Sequence, residues 1–130
     1  MQIGFIGLGA VVETAYLPAL RRLGDVIDRC QGYDLDCSRA LPGIQRCSSL
    51  SALLAEPLDT LFITTSSLQH LPVLERALAS GISRIVVEKP IVANLEQAAR
   101  LRALLAPTEQ AARFAGFSRC TGFRGWHGGA

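Results

Sequence analysis

Gln2-Ile3-Gly4-Phe5-Ile6-Gly7-Leu8-Gly9-Ala10-Val11-Val12 decides how the whole chain is read. A short apolar run ends in a glycine turn, and a helix-like stretch follows over about residues 10–23. Residues 3–6 predict a buried strand. Gly7 permits a tight turn, and Gly9 lets a phosphate group approach the backbone. The helix start behind them offers free N–H groups and a favourable dipole. The third position of this glycine pattern is Val12, larger than the usual Gly or Ala, which predicts a helix set slightly farther from the strand. Pro18 predicts a kink or a break in that helix. No basic residue precedes the apolar run and Glu13 cuts it short, so a buried strand fits better than a secretory signal.

Outward from this stretch, strand and helix patterns alternate. Residues 26–33 predict a second, weakly apolar strand and 44–47 a short third one. Residues 58–65 and 84–88 are nearly continuous in apolar and β-branched residues, the pattern of parallel strands buried on both faces. Helices are expected over 37–41, closed by Pro42-Gly43; over 49–55, with Ser48 or Ser49 as N-cap; and over 71–80, stopped by Gly81. A last helix, 95–105, follows an Asn94 cap, with Leu95, Ala98, Ala99, Leu101, Arg102 and Leu105 as its inward stripe. Residues 114–117 predict one more strand. The fold class is therefore α/β: a single domain with a doubly wound parallel sheet and helices on both faces.

Composition bounds the function. The 130 residues are 49% hydrophobic and 18% charged, which excludes a disordered chain. A net charge of +2 is too small to point to nucleic acid, so no nucleic-acid partner is expected. No apolar run approaches the roughly 18 residues of a membrane helix, so no membrane partner is expected either. Cys30, Cys47, Cys37 and Cys120 form no C-x-x-C pair, so no metal site is expected. They read as the reduced thiols of a cytoplasmic protein. The thirteen basic residues comprise twelve arginines and one lysine, Lys89.

Two further features give the glycine turn a chemistry. Asp34 closes the second strand 22 residues beyond Val12. A carboxylate there accepts hydrogen bonds from a ribose diol and repels a 2′-phosphate, which favours NAD over NADP. Nearby Arg39 offsets that repulsion less if it lies on the following helix. Glu88-Lys89-Pro90 follows a buried strand directly, and parallel sheets place ligands at the carboxyl ends of their strands. A partly desolvated lysine beside a cationic ring has a depressed pKa and can shuttle a proton. Each feature alone has a plainer reading: a glycine turn without a nucleotide, a turn aspartate, a solvated strand-end lysine.

The ordered set of segments is more specific. Residues 4–10 (Gly4-Phe5-Ile6-Gly7-Leu8-Gly9-Ala10), Tyr16-Leu17-Pro18-Ala19-Leu20, Thr64-Thr65-Ser66-Ser67-Leu68-Gln69-His70, Ala77-Leu78-Ala79-Ser80-Gly81 and Val86-Val87-Glu88-Lys89-Pro90-Ile91 occur in that order. Together they resemble the N-terminal, Rossmann-type NAD(P)-binding domain of the Gfo/Idh/MocA oxidoreductases, the glucose–fructose oxidoreductase and inositol dehydrogenase type. The resemblance covers roughly residues 1–108. It implies Lys89 as catalytic lysine. It implies cofactor contacts from Gly7, Gly9, Ala10, Val11 and Asp34, from Thr65, Ser66 and His70 on the loop after the fourth strand, and from Glu88 near the nicotinamide. It implies NAD as cofactor, with NADP the weaker candidate, and hydride transfer at a secondary alcohol or carbonyl of a sugar or polyol.

The chain also departs from the family pattern. Tyr16 stands where the family often has His before Leu-Pro. The family's larger second domain, which carries most substrate contacts, is not expected within these residues. The domain is expected over 1–108, with 109–130 as a last strand plus a basic, Gly- and aromatic-rich tail. Residues 111–130 hold three arginines and no acid. His127 in this tail reads as an exposed residue near the chain end. The expectation is a cofactor-binding domain that is weak or inactive by itself, completed by a homo-oligomer or by a separate chain. A non-catalytic dinucleotide sensor or protein-interaction module is the alternative.

Overall fold

The computed structural model describes residues 1–24, 28–65, 67–88, 92–106 and 114–117; residues 67, 68 and 114–117 are described by their backbone only. Six strands form one sheet: β1 (Gln2–Ile6), β2 (Arg29–Tyr33), β3 (Gln45–Arg46), β4 (Thr60–Ile63), β5 (Arg84–Glu88) and β6 (Phe114–Phe117). Their order is β3-β2-β1-β4-β5-β6, and every pairing is parallel. The order reverses between β1 and β4, where an α/β sheet opens a crevice at its carboxyl edge. This is the doubly wound Rossmann-type fold that the alternation of patterns predicts.

Alternation along the buried strands divides the core. Ile3 and Phe5 of β1 face one side with Leu8, Val12 and Leu17, and Phe62 of β4 packs against them. Ile6, Leu61, Ile63, Ile85 and Val87 face the other side, under Leu53, Leu74, Ala77 and Leu78. Each wholly buried aliphatic side chain in these layers stabilises the fold by about 1.5–3 kcal/mol. Helical residues 10–21 cover the first face. The second is covered by α2 (Leu50–Leu54), α3 (Ser67–Ala79) and α4 (Leu95–Leu104).

The first helical run is distorted. A π-helical turn spans Val12–Tyr16, with the Leu17 N–H bonded to the Val12 carbonyl, and α1 (Leu17–Arg21) continues from it. Pro18, in the first turn of α1, has no N–H to carry an unbroken α register through this point. The break expected at Pro18 is thus a change of helical pitch just before it. Val12 is fully buried against β1, so the larger side chain is absorbed within the core.

Several expectations hold at the level of single caps. Ser49 Oγ accepts the Ala52 N–H at 3.0 Å, and Asn94 Oδ1 accepts the Gln97 N–H at 2.9 Å. Gly81 ends the segment after α3 at φ +85°. Helix α3 begins earlier than expected, at Ser67, and carries Pro72 inside it.

Two expectations are corrected. Residues 37–41 are not helical. The Asp34 and Asp36 carboxylates close successive turns on the N–H groups of Asp36 and Ser38, Arg46 takes the Arg39 carbonyl, and Pro42 disfavours a helical Leu41, so the segment does not continue as a helix. On α4, Leu95 is 89% exposed, and Ala99 and Arg102 also face outward, so they do not belong to the inward stripe; Leu101 and Leu105 of the expected stripe do pack on the core, joined by Leu104. Of the expected second strand, residues 26 and 27 lie outside the described residues, as does the tail from 118 onward.

Candidate cofactor site

Parallel register brings the ends of the strands into one row: Ile6 pairs with Tyr33 and with Ile63, and Ile63 with Val87. The residues that follow, Gly7, Asp34, Thr64 and Glu88, therefore share the carboxyl edge. Beside the β1/β4 crevice lies a cavity of about 750 Å³, lined by Gly7, Gly9 and Ala10 on one side. Asp34, Leu35 and Arg39 come from the loop after β2; Thr65, Gln69, Pro72, Val73 and Arg76 come from the β4–α3 connection and α3.

The glycine turn is fixed from three directions. Gly7 N–H donates to the Tyr33 carbonyl at 2.8 Å, and Thr64 Oγ1 donates to the Gly7 carbonyl at 2.8 Å. Leu8 N–H donates to Asp34 Oδ2 at 2.7 Å. Gly7 adopts φ +100°, and a Cβ there would strike the Thr64 backbone at 2.9 Å, so only glycine fits. At Gly9 a Cβ would meet only Arg39 Nη1, at 3.6 Å. Its missing side chain leaves open space above the backbone, where a phosphate can approach.

Asp34 is held as much as it holds. Its Oδ1 accepts the Asp36 N–H at 2.8 Å, and its carbonyl accepts Arg46 Nη2 at 2.6 Å. Arg46 Nη1 also donates to the Arg39 carbonyl at 2.8 Å, and the guanidinium lies over the Tyr33 ring. One arginine thus clamps the 34–39 loop. Hydrogen bonds from the Ser38 hydroxyl and backbone hold the Asp36 carboxyl below the usual carboxylate range. This loop is not helical, and Arg39 lies in the cavity wall with Asp34.

The other expected residues divide. Thr65 lines the cavity, and its Oγ1 is buried with no hydrogen-bond partner among the described residues. An orphaned hydroxyl and an open glycine cradle suit a polar, phosphate-bearing ligand. His70 is buried outside the cavity lining, with its Nε2 2.6 Å from the Thr65 carbonyl, so it supports that loop from behind. Val11 borders the turn on the first helical run and is partly buried. Glu88 ends β5 and accepts a hydrogen bond from the Tyr16 hydroxyl at Oε2. Ser66 and Lys89 lie outside the described residues. Thr64 and Gln69 fall in one of the segments that carry the resemblance but are given no role there; Arg76 and Arg46 are not singled out, since each acts through the fold and carries no motif. Among the described residues no cluster of His, Cys, Asp and Glu is placed to hold a metal ion. Burial raises the pKa of the Cys30 and Cys47 thiols, which leaves them poor nucleophiles.

The family profile described as oxidoreductase family, NAD-binding Rossmann fold, matches residues 1–115. The chain belongs to the Gfo/Idh/MocA oxidoreductase family. The match corresponds to the family's NAD-binding domain. A curated relative named "Putative oxidoreductase YceM", from Salmonella typhimurium, is 30% identical over 109 residues, covering 82% of this chain and 35% of its own. Among solved structures, the oxidoreductase YPO2259 from Yersinia pestis (so far a putative assignment) superimposes with a TM-score of 0.71 at 25% identity. It covers 90% of this chain and 34% of its own. KijD10, a 3-ketoreductase from Actinomadura kijaniata in complex with NADP and TDP-benzene, gives 0.66 at 25% identity, covering 79% and 33%. The chain thus spans about a third of the length of these relatives. No helix among the described residues is long and apolar enough to cross a membrane.

Proposed function

We propose that this chain binds NAD at the carboxyl edge of its sheet and contributes the cofactor half of a sugar or polyol oxidoreductase. The observation that carries the reading is the convergence of the Gly7–Gly9 turn, Asp34 and the orphaned Thr65 hydroxyl on one cavity. The pyrophosphate lies over Gly9 and the first turn of the helical run, where Ala10 and Val11 expose backbone N–H groups. Asp34 keeps lone pairs for the adenosine ribose beyond the two backbone bonds that it already accepts. Leu35 and the Pro72–Val73 wall would flank the adenine, and Thr65 Oγ1 would offer the cofactor a hydrogen bond.

NAD is the preferred form, since Asp34 opposes a 2′-phosphate. Arg39, in the same wall, keeps NADP a weaker second ligand. The family resemblance assigns Lys89 the proton chemistry: its Nζ takes the proton of a secondary alcohol, or returns it to a carbonyl. The bound nicotinamide supplies the hydride chemistry. On the reading of residues 1–108 as the cofactor domain and 109–130 as a last strand plus tail, substrate contacts come from another domain or chain, and residues 1–130 alone turn over weakly or not at all.

Calorimetric titration of the 130-residue chain with NADH and NADPH tests this reading. NADH binding tighter than NADPH, and weakened by Asp34→Ala, is the expected result. Absence of binding by either cofactor would overturn it.

A further inference from the structure

We propose that Tyr16 is a positioning residue for the nicotinamide end of the site, acting through Glu88; this rests on the dinucleotide reading above. The two residues are 72 positions apart and come from opposite ends of the fold, yet the Tyr16 hydroxyl donates to Glu88 Oε2. The ring is fixed on its way there. It packs against Phe62 with centroids 5.0 Å apart, and Phe62 stacks on Phe5 at 5.2 Å. Three aromatic rings thus lead across β1 and β4 toward the end of β5.

The π-helical turn is part of this arrangement. It ends at Tyr16, and it admits one more residue per hydrogen-bonded turn than an α-helix. That extra residue changes the direction in which Tyr16 leaves the helix, and in this structure the direction is toward Glu88. Turns of this kind recur where a helix must present one side chain to a site.

The consequence for the cofactor follows from carboxylate geometry. A carboxylate at a strand end rotates freely unless one oxygen is fixed. The phenol fixes Oε2, and no described residue takes Oε1. Glu88 stands at the carboxyl edge beyond the lining of the cavity, and in this proposal its Oε1 accepts from the nicotinamide half, from the carboxamide N–H or the ribose hydroxyl. Tyr16 does not touch the cofactor in this scheme; it sets the angle at which Glu88 does.

Paired ligands isolate the effect. NADH carries the nicotinamide, and ADP-ribose has the adenosine and pyrophosphate without it. Affinities of both are measured by titration for the wild-type chain, Tyr16→Phe, Glu88→Gln and the double variant. Tyr16→Phe keeps the ring on Phe62, so the fold is retained, and thermal melting checks this. The expected result is a loss of about three- to tenfold in NADH affinity with ADP-ribose unchanged. In the Glu88→Gln background, Tyr16→Phe then adds nothing. Equal losses for both ligands, no loss for either, or additive losses in the double variant would each overturn the proposal. ADP-ribose binding as tightly as NADH in the wild type overturns the positioning role and leaves the dinucleotide site standing. Binding of neither ligand overturns both.

Discussion

The two halves of the carboxyl edge are built on different principles. The half proposed for the adenosine is held by bonds that begin and end near one loop: Asp34 to Asp36, Asp36 to Ser38, Arg46 to the Asp34 and Arg39 carbonyls. The half proposed for the nicotinamide rests on one long-range contact, Tyr16 to Glu88, with Phe62 and Phe5 stacked behind the tyrosine ring. The first half offers several redundant supports and a rigid cradle. The second depends on a helical turn and a strand end keeping their relative position. Damage to the first half should therefore reach the fold or the whole ligand, and damage to the second only the nicotinamide end.

The largest effect belongs to the glycine turn, and it separates fold from site. Gly7→Ala forces a side chain into φ +100° and against the Thr64 backbone. Backbone strain of this kind alone costs about 1–3 kcal/mol, and the clash adds to it. The melting temperature should fall by about 5 °C or more, with NADH binding lost. Gly9→Ala meets nothing closer than 3.6 Å, so its melting temperature should stay within about 2 °C of wild type while NADH binding is still lost. Melting curves that rank the two variants the other way would break the assignment of Gly7 to the fold and Gly9 to the ligand.

Next comes Asp34→Ala. Hydrogen bonds to a charged group are worth about 1.5–3 kcal/mol, so NADH affinity should fall about ten- to a hundredfold. NADPH should lose less, because the repulsion of the 2′-phosphate goes while Arg39 stays in the wall. Glu88→Gln, at the other half, should leave the NADH-to-NADPH ratio unchanged. A change of that ratio in the Glu88 variant would erase the distinction between the halves. Arg39→Ala sharpens the same point with a smaller effect. NADPH affinity should drop about tenfold and NADH by about twofold or less, since a guanidinium–phosphate bond is made only by the former.

What was legible in the sequence follows the same division. The buried strands at 58–65 and 84–88 announced themselves because a parallel strand covered on both faces tolerates little but apolar and β-branched residues. The caps at Ser49 and Asn94 were legible because capping is a local bond between a side chain and an N–H three residues on. The glycine turn, Asp34 and the Glu88 corner were legible because backbone geometry and strand ends constrain residue type. The loop at 37–41 was misread as helix, since Cys37-Ser38-Arg39-Ala40-Leu41 has acceptable helical propensity. The turns at Asp34 and Asp36 are local, but the Arg46 bonds to the Arg39 and Asp34 carbonyls that hold the segment in this course are visible only in three dimensions. Tyr16 showed only as a departure from the family pattern. Its partner lies 72 residues away, and no spacing rule connects a helix residue to a strand end at that distance.

Arg46→Lys gives the smallest effect and tests how redundant the adenosine half is. The guanidinium reaches two carbonyls with two different nitrogens, at 2.6 and 2.8 Å, and stacks over Tyr33. A lysine ammonium is a single point of donation and does not match that fork, so at least one bond and the stacking are lost. The side chain is partly buried, and each such loss is worth about 0.5–1.5 kcal/mol. The Asp34 and Asp36 side-chain bonds to the loop backbone remain, and so does the Asp34 bond to Leu8 N–H. The loop should therefore keep its course, with the melting temperature lower by a few degrees and NADH and ADP-ribose affinities lower by about two- to threefold in equal measure. Equality is the informative part: both ligands carry the adenosine half, so a loop that loosens must weaken both. A loss confined to NADH would mean that the 34–39 loop communicates with the Glu88 corner, and the two halves of the edge would then be one mechanical unit.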